Sequence, residues 1–256
     1  MNTNTSLAQK ILDEKKQNFK HGLYHYTQIK LAYNSNHIEG SRLTEEQTRY
    51  IYETHSICTG DDAAADIDDI METVNHFKCF DYILDNYDVP VNEDMIKHIH
   101  FMLKTNTAAE QLSWFRIGDY KLRPNYIGDT KTSPPNRVGA DINMLLDRYN
   151  ALSDISFNDI VEFHYQFESI HPFQDGNGRV GRLLMFKECL RNNVTPFIID
   201  DEHKLFYYRG LKEFKTEPGY LVDTCLLCQD NYTAAIDYFY PPSSPQININ
   251  QNHKHR

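Results

Sequence analysis

Positive charge is in short supply in this sequence. Its 256 residues contain 26 Lys and Arg against 36 Asp and Glu, a formal net charge of −10 at pH 7. Proteins that grip a nucleic-acid backbone usually show the opposite balance, because Lys and Arg hold the phosphates. We therefore expect no direct nucleic-acid binding, and any phosphate-bearing ligand must be held by a local arrangement of residues.

Long apolar runs are missing as well. No stretch approaches the roughly 18 consecutive apolar residues that mark a membrane helix. The opening residues, MNTNTSLAQKILDEKK, lack the hydrophobic segment of a signal peptide. The sequence therefore predicts no membrane partner and a cytoplasmic location.

Cysteine is sparse, and its count is odd. Five cysteines at irregular spacing indicate reduced thiols rather than a disulfide framework. Cys225 and Cys228 form the one Cys-x-x-Cys pair, and leucines surround it. Because there is no second pair, we interpret them as core cysteines on a helix, with a zinc or redox site as the alternative.

What the sequence does contain is helical periodicity, with apolar residues recurring every three or four positions. It predicts helices over 67–84, 91–103, 142–149, 160–167, 205–211 and 221–239. Thr44 and Gln47 match a capping box that opens another helix. We find no internal repeat and no clear linker, so the sequence predicts one mostly helical domain.

Residues 114–137 break this pattern. Glycines and prolines interrupt any helix there, at Gly118, Pro124, Gly128, Pro134 and Pro135. Tyr120, Leu122 and Tyr126 are typical of short extended pieces. The segment is predicted to be a hairpin or an exposed loop inserted between helices.

The stretch from His171 to Arg182, HPFQDGNGRVGR, joins two predicted helices. Gly176 and Gly178 let consecutive backbone N–H groups converge into an anion-binding nest. The nest opens onto a helix N-terminus, which favours negative charge. Arg179 and Arg182 lie three apart on one face of that helix, where their planar donors suit phosphate oxygens.

Two further side chains of this stretch suit phosphate chemistry. Asp175 offers the hard oxygen that Mg²⁺ takes together with substrate phosphates. His171 has an ordinary pKa of about 6.5 and is able to remove a hydroxyl proton near neutrality. The residues therefore predict a nucleotide-phosphate site with a base. The alternative is a loop with a C-capping histidine and surface arginines.

Gly176, Gly178 and Gly181 also match the Gly-x-Gly-x-x-Gly dinucleotide fingerprint, and Asp200 follows about twenty residues later. That fingerprint requires a buried strand before the glycines. The preceding segment has helical periodicity instead, so we reject this interpretation. A P-loop fails too, because no Lys-Ser or Lys-Thr pair follows the glycines.

At these residues the sequence resembles the Fic domain family, whose signature is His-x-Phe-x-(Asp/Glu)-Gly-Asn-Gly-Arg-x-x-Arg. Residues His171 to Arg182 fit every specified position, and a looser similarity extends over 91–230. The resemblance implies an all-α, Fic-type helical bundle with a small β-hairpin flap. It also divides the chain into an N-terminal helical region (1–90), a catalytic core (91–230) and a C-terminal helix end with a mobile polar tail (231–256).

The resemblance implies a role for each matching residue. His171 would be the general base and Asp175 the Mg²⁺ ligand. The nucleotide would lie on the loop and the following turn, at Gly176, Asn177, Gly178, Arg179, Val180, Gly181 and Arg182. Tyr207 and Tyr208 resemble the helix that contacts adenine, although they could equally be core aromatics.

A second match lies upstream, where residues Ser35 to Gly40 fit the family's inhibitory motif (Ser/Thr)-x-x-x-Glu-(Gly/Asn). Gly40 is a natural residue just past a helix end, which puts Glu39 in the last turn, where the helix dipole disfavours a carboxylate. Glu39 is therefore expected to pair with a cation, and the resemblance implies that this cation is Arg182. The alternative is a solvated glutamate at a helix end.

The resemblance implies protein adenylylation (AMPylation): transfer of AMP from ATP, with Mg²⁺, to a Ser, Thr or Tyr hydroxyl of a target protein or of the chain itself. Glu39 would inhibit this activity by pairing with Arg182. Two alternatives stay open. The same fold could remove AMP or move another phosphate-containing group, or it could sense nucleotide without chemistry. Assembly into a homo-oligomer is a further expectation.

Overall fold

The computed structural model describes residues 6–58, 64–128 and 130–241. Within these ranges the chain forms ten α-helices and one short antiparallel hairpin. The helices are α1 (Leu7–Lys16), α2 (Leu23–Ile38), α3 (Glu45–Thr54), α4 (Ile67–Asp85), α5 (Glu93–Lys104), α6 (Val138–Asn150), α7 (Phe157–Ile170), α8 (Asn177–Arg191), α9 (Lys204–Glu213) and α10 (Gly219–Phe239). The strands are β1 (Tyr126–Ile127) and β2 (Thr130–Lys131).

Local capping explains where several helices begin. The capping box predicted at the start of α3 is confirmed: Thr44 accepts a hydrogen bond from Gln47 N, and the Gln47 side chain accepts one from Thr44 N. A second box, formed by Ser156 and Asp159, opens α7. Each helix predicted from periodicity is present, with ends displaced by a few residues, because caps rather than periodicity set the ends.

Helix α8 lies at the centre of the molecule, and its residues from Asn177 to Leu190 are all buried. It packs against α7, α4, α5 and α2. One continuous apolar core draws on helices from both ends of the chain, from Ile11 in α1 to Tyr232 in α10. The core therefore crosses the boundary predicted at residues 90 and 91, and the N-terminal helices are packed directly onto the helix that carries the glycine loop.

The predicted break over 114–137 is confirmed as a hairpin. Tyr126 pairs with Lys131 and Ile127 with Thr130, and both strands are exposed. Gly128 has φ +56°, a left-handed conformation that glycine adopts without strain. The flap of the expected fold is therefore present.

The base of this hairpin is tied to the end of α7 by Lys121, which is buried. Its ammonium donates to Asn125 Oδ1 at 2.7 Å and to Thr132 Oγ1 at 2.7 Å. It also donates to the backbone carbonyls of Ile170 at 3.2 Å and His171 at 2.8 Å. One side chain thus fixes the hairpin against the first residue of the glycine loop.

Cys225 and Cys228 lie on α10 and are buried, which confirms the expectation of core cysteines on a helix. In residues 6–58, 64–128 and 130–241, no helix combines the length and the apolarity that a membrane crossing demands. The mobile tail predicted for the end of the chain falls, from residue 242 onward, outside the described residues.

Candidate active site

The site begins where α7 ends. His171 takes a left-handed conformation with φ +53°, and its backbone N–H donates to Phe167 O, which closes the helix. Gly176 has φ +81° and precedes the first residue of α8. A residue with a side chain would be strained there, so the glycine is what lets the chain turn sharply into α8.

Asn177 holds the loop in shape. Its side-chain oxygen accepts from Phe173 N at 2.7 Å, and its amide donates to Phe173 O at 2.9 Å. The Phe173 ring stacks on His100 with 3.8 Å between ring centroids, and His100 Nε2 lies 3.2 Å from the Asp175 carbonyl. The Asn177 side chain is thus turned toward the loop backbone, and its backbone N–H at the start of α8 has no partner within the helix and is available to an anion.

Arg182 is buried and meets the predicted partner. Its Nη2 lies 2.6 Å from Glu39 Oε1 and donates to Ser35 O at 2.9 Å, while its Nε donates to Ser35 Oγ at 3.0 Å. Glu39 caps the end of α2, and Gly40 follows with φ +103°. Burial raises the pKa of Glu39, but the charges of Arg182 and Arg179 outweigh it and lower the pKa overall, so this carboxylate is ionised.

The end of α2 approaches α8 very closely. A Cβ atom on Gly178 would overlap Glu39 Oε1 and lie 2.8 Å from Arg182 Nη1. Only a glycine at this position leaves room for the Glu39–Arg182 pair above the first turn of α8.

Arg179 also meets acidic partners, but sequence reasoning did not find the main one. Its guanidinium pairs with Glu72 of α4 and lies 3.4 Å from Asp175 Oδ2. Lys104 of α5 pairs with Glu72 too, and its Nζ lies 2.7 Å from Asp175 Oδ2. The two cations and two carboxylates therefore alternate in a closed ring, which we call the Glu72 ring.

Sequence reasoning identified neither Glu72 nor Lys104 as a partner of the glycine loop. A weak indication was that polar residues interrupt the apolar face of α4, where Asn75 and His76 are buried beside Glu72. Periodicity assigns such residues a face, but not a partner from another helix.

Burial and nearby charges set the protonation states of His171 and Asp175. Burial, helped by the charge of Lys121, lowers the pKa of His171 to about 4, so its imidazole is neutral at pH 7. Burial opposes the ionisation of Asp175, but Arg179 and Lys104 lower its pKa well below the usual range. The Asp175 side chain is half exposed, so an ionised oxygen faces the loop.

The other residues predicted to contact the nucleotide are less accessible to it. Val180 lies in the core, and its N–H donates to Gly176 O, so in this conformation it offers a nucleotide neither side chain nor N–H. Gly181 packs against Glu168 and His164. Tyr207 is buried with its hydroxyl 2.7 Å from His164 Nε2, as the alternative of a core aromatic anticipated.

Tyr208 is the more accessible of the two tyrosines, with 40% of its surface exposed. Its hydroxyl donates to Ile38 O at 3.0 Å, at the last residue of α2. It therefore lies beside the Glu39–Arg182 pair, and a contact of its ring with adenine stays a prediction.

Comparison with solved structures supports the fold. A Fic domain containing signaling protein from Bacteroides thetaiotaomicron matches with a TM-score of 0.70 and 23% identity, over 92% of this chain and 97% of that one. Fic-1 from C. elegans matches with a TM-score of 0.68 and 21% identity, over 90% of this chain and 72% of that one. At these identities the likeness concerns the fold alone.

Among curated proteins, the protein adenylyltransferase Fic of Drosophila mojavensis is 27% identical over 194 residues, 70% of this chain and 35% of the relative. That of Aedes aegypti is 27% identical over 187 residues, 72% of this chain and 36% of the relative. The chain thus spans about a third of the length of these relatives. The Fic/DOC family model matches residues 90–189, which contain α5, α6, α7, the whole glycine loop and most of α8. Over these residues the chain is similar to the Fic/DOC family.

Proposed function

We propose that this chain is an adenylyltransferase that moves AMP from ATP to a Ser, Thr or Tyr hydroxyl of a protein, including its own. One observation carries the proposal: a neutral His171 and an ionised Asp175 flank a glycine loop that opens onto the N-terminus of α8 and its two arginines. The names of the curated relatives support the same reaction.

The loop is suited to bind phosphates. The first N–H groups of α8 lack partners within the helix, and the dipole places partial positive charge there. Arg179 lies on the first turn of α8 and Arg182 on the second, and they would contact the β- and γ-phosphates once their acidic partners withdraw. Donors fixed before the reaction stabilise the charge that builds on the phosphates at little cost in reorganisation.

His171 would move the proton. The hydroxyl oxygen of the target attacks the α-phosphorus, the bond from that phosphorus to the bridging oxygen breaks, and pyrophosphate leaves with the bonding electron pair. The hydroxyl proton passes to a nitrogen of the neutral imidazole. Burial keeps that imidazole unprotonated, which a general base requires.

The donor set also fits Mg²⁺. The Asp175 carboxylate is ionised and half exposed beside the α8 N-terminus, and Mg²⁺ takes one or two carboxylates together with substrate phosphates. When bound, the ion would neutralise negative charge on the phosphates. Lys104 and Arg179, which now contact Asp175, would share that carboxylate with the ion.

We further propose that the structure is the inhibited state. Glu39 occupies the Arg182 guanidinium, and Ser35 holds two more of its donors. A γ-phosphate needs the same guanidinium, so it must compete with a paired carboxylate. Removing that carboxylate should therefore raise activity.

The test uses labelled ATP and Mg²⁺ with the full chain. We expect Glu39→Gly to label itself or proteins of a lysate more strongly than the wild type, and Glu39→Gly/His171→Ala to give no label. Mass spectrometry of the adduct checks that the transferred group is AMP. If Glu39→Gly neither binds ATP in a calorimeter nor transfers label, the proposal is wrong. Tight ATP binding without a covalent product would identify a nucleotide sensor instead.

A further inference from the structure

A group of three metal-binding side chains lies away from the glycine loop. Asp200 precedes the short helical turn Asp201–His203, and Cys228 lies on α10. The Asp200 carboxylate, the His203 ring and the Cys228 sulfur have their donor atoms within 4.8 Å of one another. The Asp200 side chain already contacts His203 Nδ1 and accepts from His203 N at 3.0 Å.

This donor set has a clear chemical preference. Thiolate and imidazole suit Zn²⁺ and its neighbours among the transition metals, whereas Mg²⁺ and Ca²⁺ take oxygen ligands. With zinc bonds of about 2.0 Å to nitrogen or oxygen and about 2.3 Å to sulfur, the ligand atoms of a tetrahedral site lie about 3.3–3.5 Å apart. The donor atoms here lie within 4.8 Å of one another, so metal binding would draw them together by up to about 1.3 Å through side-chain rotation.

The surroundings support metal binding. Asn231 donates to Asp200 Oδ2 at 3.4 Å and so orients the carboxylate. Because the ligand is a thiolate, metal binding would form a metal–sulfur bond and release the thiol proton of Cys228 to solvent.

There is also space for an open coordination position. Asp200, Cys228 and Asn231 line a cavity of about 440 Å³ that extends to α2 at Tyr26 and Asn34. Zinc sites with three protein ligands commonly keep a fourth position for water or a small ligand. We propose that Asp200, His203 and Cys228 bind a zinc-type divalent metal ion whose fourth position faces this cavity.

The position of the site suggests what a bound ion would do to the structure. The N–H of Asp201 donates to Asn34 Oδ1 at 3.0 Å, one residue before Ser35. Linking Asp200 and His203 to Cys228 would fix this turn between α10 and α2. Amide hydrogen exchange over residues 200–204 should therefore slow when the metal is present.

The test is a Co²⁺ titration of the chelator-treated full chain. We expect a thiolate-to-cobalt charge-transfer band that saturates and that Zn²⁺ abolishes by competition. Cys228→Ser should lose the band. The matched control is Cys58→Ser, which removes an exposed cysteine outside the group and should keep it.

Because Cys228 is buried, its substitution could disturb folding, so a second variant is needed. His203 is partly exposed, and His203→Ala should leave the circular dichroism spectrum unchanged while weakening Co²⁺ affinity at least about tenfold. The site is refuted by a wild-type titration without a thiolate band. It is equally refuted by a band that persists in folded Cys228→Ser or by unchanged affinity in His203→Ala.

Discussion

At the residue scale, both arginines of the glycine loop are held by acids from the N-terminal helices. Glu39 at the end of α2 pairs with Arg182, and Glu72 of α4 pairs with Arg179. Both arginines are almost fully buried, and a buried charge without a partner is costly. The pairs therefore stabilise the loop, and under the proposed function they would compete with phosphate for the two arginines.

Glu72→Gln tests this competition. Loss of the carboxylate leaves Arg179 and Lys104 short of one partner, so we expect the melting temperature without nucleotide to fall. In the Glu39→Gly background, the same change should tighten ATP binding, because Arg179 is freed for phosphate. Calorimetry and thermal melts with and without ATP measure both effects.

The matched control for Glu72→Gln is Glu46→Gln, the same substitution at an exposed position of α3. It should change neither quantity. Weaker ATP binding by Glu72→Gln would mean that Glu72 orients Arg179 for the nucleotide instead of competing with it.

At the scale of elements, a buried cation helps to join the hairpin to the glycine loop. Lys121 donates to groups on both sides, and burial lowers its pKa to about 8. Among the described residues, its partners are neutral oxygens. Lys121 N also donates to Pro172 O at 2.9 Å and Asn125 Nδ2 to Phe173 O at 2.9 Å, so Lys121 is one of several links that set the geometry of the flap relative to His171.

Lys121→Met keeps the length of the side chain but removes its donors. Buried acceptors left without a donor cost about 1–3 kcal/mol, so we expect the free energy of unfolding to fall by about that amount. Transfer to a protein target should weaken in the Glu39→Gly background while ATP affinity stays unchanged. Urea denaturation and labelling assays measure this. Lys131→Met, on the exposed strand β2, is the control and should behave like its parent.

At the scale of the whole molecule, burial keeps several histidines neutral. It lowers the pKa of His76, His100 and His164 to about 3 and that of His171 to about 4. Between these values and about 6.5, the ordinary pKa, the unfolded chain binds protons that the folded chain does not. Stability contributed by these groups is present above about pH 6.5 and is lost as the pH falls.

Glu168 changes the stability in the opposite direction as the pH falls, because burial raises its pKa to about 8. Its protonated form favours the folded state, and that contribution declines as the pH rises through 8. Between pH 6.5 and about 4.5, the stability lost through the four histidines exceeds the stability gained through the one glutamate. We therefore expect the urea midpoint to decrease steadily as the pH falls over that interval. A midpoint that is constant or that increases on acidification would contradict the assignment of neutral buried histidines.

Periodicity and capping were sufficient for the helices, because a helix follows from residues three and four apart and from a few local hydrogen bonds. The flap was predicted from its glycines and prolines, because these residues also act locally, through their backbone conformation. The loop from His171 to Arg182 was also evident, because its glycines, arginines and carboxylate are contiguous in the sequence.

Contacts between distant segments were harder to predict from the sequence. The Glu39–Arg182 pair was expected only because a second motif resembled that of a family. The Glu72 ring and the anchoring role of Lys121 were not found, because neither residue belongs to a motif and each acquires its partners only when helices pack.

The sequence alone determined the helices, the flap and the glycine loop from His171 to Arg182, since local hydrogen bonding and backbone conformation decide them. Only the tertiary structure decided which acid meets which arginine, why Tyr207 is closed off in the core, and how Asp200, His203 and Cys228 come together. Those outcomes depend on the packing of α2, α4 and α10 around one core, which brings together groups that are tens to hundreds of residues apart in the chain.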